Sequence, residues 1–429
     1  MSLLKKKLAD QIPGLREDIR NLIKTHGGKV ISEVTVQQAY GGMRGVKGMV
    51  CDTSVVEPDK GLIIRGIPVL ELTDKLPEEI FWLLLTGELP SAEELKSLQD
   101  DLRQRYEVPG YVWDVLRAMP KDSHPMTMLD TGILVLQHES EFARRYSEMA
   151  KTEYWDAALE DALRIIGMIP GIAAGVYRIR YDKGDLIAPD NSLDWAANYV
   201  HMLGLEETED CYDMMRLYLL LHSDHEGGNV SANVGRIVNS ALSDPYYSLT
   251  AALNGLAGPL HGLANQECLK YVQSIEEKFN GVPSEDELKE YVWATLNSGR
   301  VIPGYGHAVL RTTDPRFTAL LNFGKRVCPY DNAFRIVEML FKVVPGILKE
   351  HGKAKNPWPN VDAASGSLLY HFGMTRFDFY TVMFGASRIL GISAQMIMNR
   401  GLFLPIFRPK SVTFDWLKQE ISKPSGSKK

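Results

Sequence analysis

Cysteine is scarce in this 429-residue chain: Cys51, Cys211, Cys268 and Cys328 stand far apart, and no CxxC pair occurs. That spacing argues against a disulfide framework or a thiolate metal cluster and fits reduced, packed thiols. Long apolar runs are missing as well. The most apolar stretch, IIGMIPGIAAGVYRIRY, is interrupted by Pro170 and ends in charge, so the sequence predicts no membrane span. A basic surplus is also absent: 48 Lys and Arg against 54 Asp and Glu leave a formal charge of −6, with no footprint for nucleic acid. Any attraction for an anionic ligand must therefore be local. The opening MSLLKKK is basic, but Asp10 and Pro13 interrupt it before a signal core can form.

What is present is the balance of a soluble globular protein, 45% hydrophobic and 24% charged. The length suffices for a large domain and a smaller one. Helical signals dominate. SAEELKSLQDDLRQRY opens on Ser91 with Glu94 three residues later, a capping box, and Leu95, Leu98 and Leu102 recur at helical steps. SEDELKEYVWATLN repeats the device with Ser284 and Glu287. Further helices are expected over 14–26, 78–86, 126–146, 152–164, 188–203, 208–221, 244–256, 262–278, 317–326, 331–349, 361–370 and 377–396. Strand signals are confined to 46–55 and 60–65, joined through the turn-like EPDKG. The expectation is a mainly α fold with a minor β component. Punctuation near His261 and along KAKNPWPNVDAASG suggests a smaller domain inserted into a larger one, and the final KPSGSKK reads as a frayed or added tail.

Three histidines sit beside glycine: His225 in SDHEGGNVSA, His261 in GPLHGLANQE and His307 in VIPGYGHAVLR. Glycine lets backbone or ligand approach closely, so each ring could be structural, a ligand or a titratable group. His222 and His225 with Asp224 and Glu226 could ligate metal, but no HExxH pattern supports zinc. Asp362 follows Pro357 and Pro359 and precedes small residues, so it falls in the first turn of a helix, either as a cap or as a general base acting on carbon. Arg311, Arg316, Arg388 and Arg408 are the candidate anion ligands; Arg388 interrupts an otherwise apolar helix. Lys353 and Lys355 are possible phosphate contacts or simply solvated.

The blocks YGGMRGVKG, SDHEGGNVSA, SLTAALNGLAGPLHGLANQE, VIPGYGHAVLRTTDPR, GKAKNPWPNVDAASG and LFLPIFRPKS closely resemble citrate synthases of the larger branch that includes the mitochondrial enzymes. They run in family order from about residue 40 to 412. The resemblance implies a two-domain helical fold with a large domain over 1–262 and 369–429 and a small domain over 263–368 that closes on the site. It implies condensation of oxaloacetate with acetyl-CoA, then hydrolysis to citrate and CoA, with acetyl-CoA as substrate and no metal or redox cofactor. His261, His307 and Asp362 would be catalytic; His225, Arg316 and Arg388 would hold oxaloacetate, and Arg408 would complete the site of a homodimer partner. Arg44, Lys151, Val301, Gly304, Tyr305, Arg311, Lys353 and Lys355 would meet CoA. The resemblance places such an enzyme in the cytoplasm of a bacterium or, as a processed chain, in the mitochondrial matrix. Three residues depart from the family pattern: Asn233 and Ala364 replace common histidines, and Lys151 replaces an arginine, losing its bidentate fork. The same plan also fits 2-methylcitrate synthase acting on propionyl-CoA, or a catalytically idle CoA or dicarboxylate binder.

Overall fold

The two capping boxes close as the spacing predicts. Ser91 Oγ accepts from Glu94 N at 3.3 Å while Ser91 N donates to Glu94 Oε2 at 2.9 Å, starting the helix Ala92–Arg103. Ser284 and Glu287 do the same for Glu285–Asn297. A computed structural model describes residues 2–307 and 309–422, and the predicted tail at 423–429 lies outside the described residues. Within these bounds the fold is mainly α-helical with one small sheet.

Two long helices form the centre. Tyr154–Arg180 and Tyr380–Gly401 pack against each other, and their most apolar windows are 78% and 94% buried. Both are long and apolar enough to cross a membrane, contrary to the sequence expectation, but that degree of burial makes them core helices. Pro170 does not end the first of them. Proline inside a helix forfeits one hydrogen bond and clashes with the preceding turn, at about 3 kcal/mol. Here the surrounding turns, Leu159 to Val176, are buried on nearly every face, and tertiary packing overrides the local break. A second group, Ala264–Phe279, Glu285–Asn297, Pro315–Val327, Asn332–His351 and Asp362–His371, packs mutually around Phe317, Phe334 and Val337.

The sheet is a three-stranded antiparallel meander, β1 (Ser54–Glu57), β2 (Gly61–Ile64) and β3 (Ile67–Pro68), with Ser54 opposite Ile64 and Ile64 opposite Ile67. Strand structure is thus absent from 46–53, where the sequence suggested it. The sheet serves the site: Ser54 Oγ donates to buried Asp224 Oδ2 at 2.8 Å, and the turn carbonyl of Pro58 accepts from Arg311 N at 2.8 Å.

Other boundaries differ from expectation. The first helix runs Leu3–His26 through Pro13, with Leu4, Leu8 and Ile12 buried. The expected 126–146 helix is broken into Pro125–Leu134 and Glu141–Arg145 by a 3-10 turn, and the 188–203 helix begins only at Trp195, where Asp194 caps it. Gly110–Ala118, Val230–Ser240, Phe414–Ile421 and the short Val36–Tyr40 are helices without a sequence-predicted counterpart.

One glycine joins the core to the site. Gly391 N donates to Ser223 O at 3.1 Å, and a Cβ there would overlap Ser223 O and Asp224 Oδ1. Gly391→Ala should lower unfolding stability by about 1–3 kcal/mol, because neither the helix backbone nor buried Asp224 can yield. Chemical denaturation checks this, and an unchanged midpoint would show that the segment relaxes freely.

Candidate active site

His261 lies in the turn between Pro245–Leu256 and Ala264–Phe279, where its N–H donates to Gly258 O at 2.9 Å. Its Nε2 faces the start of Val230–Ser240, 3.4 Å from Ser231 N and 3.0 Å from Ser231 Oγ. A backbone N–H can only donate, and the hydroxyl can turn to donate, so both contacts are satisfied when Nε2 is the acceptor and Nδ1 carries the proton. Burial, then the Arg388 charge, pushes the imidazole down to about 4. The ring is neutral near pH 7, edge-on to Phe384 with centroids 6.0 Å apart.

His307 is fixed by its own loop. Nδ1 accepts from Val309 N and Leu310 N, both at 3.0 Å, which leaves the neutral ring protonated on Nε2. Burial and the Arg316 charge lower it to about 4 as well. His225 stands beside it, ring centroids 5.6 Å apart, with Nε2 buried and without a hydrogen-bond partner among the described residues. Burial and the charges of Arg316 and Arg388 push His225 well below its usual value.

Asp362 opens the helix Asp362–His371, where the sequence places it. A helix N-terminus favours a carboxylate. Burial opposes this and wins: despite the nearby charges of Arg316 and Arg388, the group is raised to about 6. Its backbone is positioned by Asn360, whose Oδ1 accepts from Asp362 N at 3.0 Å while Nδ2 donates to Gly306 O at 3.0 Å. Asn360 N donates to Gly304 O at 2.8 Å and Gly306 N to Trp358 O at 3.0 Å, with Tyr305 bridging Pro359. Gly304, at φ +79°, lets this contact form, since a Cβ would come within 2.8 Å of Ala363 and 2.9 Å of Cys268 Sγ. The His307 loop and the Asp362 helix are thus laced together.

Two buried arginines tie the parts electrostatically. Arg388, 2% exposed, donates Nε to His222 O at 2.9 Å and lies 4.7 Å from the Phe384 centroid, and burial lowers it to about 10. Arg316, 5% exposed, pairs with Asp314, Nη2 to Oδ2 at 2.7 Å and Nε to Oδ1 at 3.1 Å. Arg388 acts on His261, His225 and Asp362; Arg316 acts on His307, His225 and Asp362. A cleft holding two neutral imidazole donors, a carboxylate poised near pH 6 and two guanidiniums can abstract a proton from carbon beside a bound dicarboxylate.

The other sequence-predicted residues fall in two groups. Val301, 79% exposed, Arg311, Lys353 and Lys355 lie on the exposed rim of the laced segments, with Tyr305 half-buried below. Arg44 and Arg408 are exposed on segments that line a different cavity, and Lys151 Nζ lies 4.9 Å from the ring of Phe403, beside the Arg408 segment. Within one chain, then, Arg44, Lys151 and Arg408 are grouped apart from the catalytic candidates. Ser231, Asn360, Asp314 and Phe384 escaped sequence reasoning; the N-cap patterns NVSA and DPR were available signals for the first and third. Among the described residues, no three His, Cys, Asp or Glu side chains are placed to hold a metal ion.

Comparison with known proteins gives a uniform result. The family described as citrate synthase, C-terminal domain, matches residues 42–410. Citrate synthase 4, mitochondrial, of Arabidopsis thaliana is 48% identical over 435 residues, covering 99% of this chain and 92% of the relative. The mitochondrial citrate synthase of Daucus carota is 46% identical, covering 98% and 92%. The crystal structure of citrate synthase from Pyrobaculum aerophilum superposes with a TM-score of 0.78 at 27% identity, covering 90% of this chain and 95% of that one.

Two outcomes follow from the geometry. Asn360→Ala should reduce kcat by about 10–100-fold through loss of positioning while costing only about 1–2 kcal/mol of stability; a loss of activity that merely tracks unfolding would mean that Asn360 is structural. With Asp362 titrating near 6 and both imidazoles near 4, kcat/KM should fall tenfold per pH unit below about 6. The base is then protonated while both rings remain neutral. An acid limb centred near 4 would exclude Asp362 as the base.

Proposed function

The chain belongs to the citrate synthase family and condenses acetyl-CoA with oxaloacetate and water to give citrate and CoA, and on that premise we propose how its residues divide the reaction. Asp362 removes a proton from the acetyl methyl group. His261 donates from Nδ1–H to the thioester oxygen as negative charge develops there. The enolate carbon attacks the ketone of oxaloacetate, and His307 gives the new alkoxide a proton from Nε2–H. Water then cleaves the citryl thioester and CoA leaves as the thiol. The observation that carries this assignment is the pairing of two imidazoles held neutral, near 4, with a carboxylate raised to about 6.

Oxaloacetate fits against Arg388, Arg316 and His225. Arg388 has no hydrogen-bond acceptor for its Nη groups among the described residues, and His225 Nε2 is an orphaned buried polar atom, so a dicarboxylate would satisfy both. Lys353, Lys355 and Arg311 would meet the CoA phosphates, with Val301, Gly304 and Tyr305 against its nucleotide portion. Arg44, Lys151 and Arg408 lie apart from these, which supports a homodimer in which Arg408 and Lys151 serve the partner's site. Exposed Val30, Ile31, Ile406, Phe414 and Trp416 on the flanking arms supply apolar surface for such an interface.

Residues 263–368 would form a small domain that carries His307, Arg316 and Asp362 toward His261 and Arg388 on the large domain of 1–262 and 369–429. Closure would shield the enolate from water. The mitochondrial relatives support the same compartment if the host is a eukaryote; in a bacterium the enzyme would act in the cytoplasm.

A thiol-release assay with product identification tests the assignment. Acetyl-CoA should turn over faster than propionyl-CoA; a strong preference for propionyl-CoA would make this a methylcitrate-forming enzyme, and no thiol from either would leave a binding protein. Asp362→Ala should lower kcat by about 10²–10⁴-fold with little change in oxaloacetate affinity. Equal losses in both would assign Asp362 a structural role.

A further inference from the structure

His225 lies in the loop between Glu209–His222 and Val230–Ser240, and the backbone there is unusual. Glu226, the next residue, has φ +52°, a left-handed conformation that residues other than glycine rarely adopt. Two side chains from distant elements grip the residues on either side of His225. Ser54, on β1, donates from Oγ to Asp224 Oδ2 at 2.8 Å, and the same oxygen accepts from Glu226 N at 2.7 Å. Gln395, on Tyr380–Gly401, donates from Nε2 to Asp224 Oδ1 at 2.9 Å and to Glu226 O at 3.4 Å. Each side chain therefore bridges both neighbours of His225, and every bond pairs a donor with an acceptor.

Both grips rest on regular structure. Ser54 pairs with Ile64 across β1 and β2, and Arg65, which follows β2, donates Nε to Leu84 O at 2.8 Å. Gln395 lies two turns beyond Arg388 on the same face of the central helix, with Gly391 between them where Asp224 approaches. Stability does not account for Asp224: a fully buried carboxylate costs more than an apolar side chain of its size. It does give Ser54 and Gln395 a common acceptor at the entry to the loop. Asn229 Nδ2 fastens the carbonyls of His225 and Glu226, at 3.0 and 2.9 Å, at the exit.

We propose that Ser54 and Gln395 are positioning residues for oxaloacetate: together they fix Asp224 and Glu226 so that the ring of His225, between them, faces the bound dicarboxylate. This rests on the reading of His225 as an oxaloacetate ligand and extends it to two residues that act through that ring. A loop released at Asp224 and Glu226 would leave the left-handed conformation and turn Nε2 away from its ligand.

Steady-state kinetics on the full-length protein test this with Ser54→Ala, Gln395→Met, His225→Ala and the Ser54→Ala/His225→Ala double variant. Each single variant should raise KM for oxaloacetate, Ser54→Ala and Gln395→Met by about tenfold, with KM for acetyl-CoA unchanged at saturating oxaloacetate. In the double variant Ser54→Ala should add less than about twofold to the effect of His225→Ala, because the route through His225 is already lost. A general loosening of the fold would instead multiply the two effects and raise both KM values. Melting temperatures check folding, and Gln395→Met, which nearly keeps the side-chain volume, carries the test alone and with His225→Ala should Ser54→Ala fail to fold. An unchanged oxaloacetate KM in the folded positioning variants, or multiplied effects in the double variant, would overturn the proposal. An unchanged oxaloacetate KM in His225→Ala would overturn the reading of His225 itself.

Discussion

The site depends on a guanidinium buried inside the central helix. Arg388 is 2% exposed on Tyr380–Gly401, a helix packed on nearly every face, and among the described residues only its Nε has a protein acceptor, the carbonyl of His222. Burying a cation this way costs several kcal/mol, enough to lower its affinity for the proton to a value of about 10. A fold driven only by stability would place an aliphatic side chain here. The charge instead acts on its neighbours: it disfavours a proton on His225 and His261 and favours ionised Asp362. One side chain therefore biases proton positions on several functional groups, and a dicarboxylate would add counter-charge to that of Asp224 and Asp362.

Geometry is controlled by a second device, the lacing of 304–314 to 356–362. Asn360 bonds to both strands of the lace, and Asp314 N donates to Pro359 O at 3.1 Å while its carboxylate caps and pairs with Arg316. His307, Arg316 and Asp362 thus share one backbone unit. His261 and Arg388 belong to another, joined through Ser231, Phe384 and His222. Displacing one unit against the other would open or complete the site without disturbing the internal hydrogen bonds of either. Such division suits an enzyme that must admit two substrates and then exclude water.

The catalytic candidates were singled out by their local setting, while the roles proposed for them came from the resemblance to citrate synthases. Rings flanked by glycine and an acid after two prolines carry their setting in a few neighbouring residues, and the start of the helix at Asp362 was visible for the same reason. Elements shaped by distant contacts were not legible. Val230–Ser240 contains Gly235 and β-branched residues with modest helix propensity, and it forms where Met396, Ala252 and Ile392 close over that glycine. Tyr154–Arg180 passes through Pro170 because burial on all sides outweighs a local penalty. The tautomer of His261 depended on the unpredicted helix, since Ser231 at its start faces Nε2. Its identity was in the sequence, but the direction of its proton required the fold.

That direction has a chemical consequence. An imidazolium would stabilise the enolate more strongly than a neutral ring, yet its charge would also lower the proton affinity of Asp362 and weaken it as a base. With the rings near 4 and the carboxylate near 6, both rings are neutral at neutral pH and the carboxylate is the anion. As pH falls, Asp362 therefore takes up the first proton and the rings stay neutral; at neutral pH, above its value near 6, the carboxylate is available as base. The ordering comes from burial acting in opposite senses on the two group types, lowering bases and raising acids, so a single dry cleft sets both values. Solvating the cleft would return the imidazoles toward 6.5 and the carboxylate toward 3.8, reversing their order. Exclusion of water is then part of the acid–base assignment itself, and domain closure would act on protonation as well as on access.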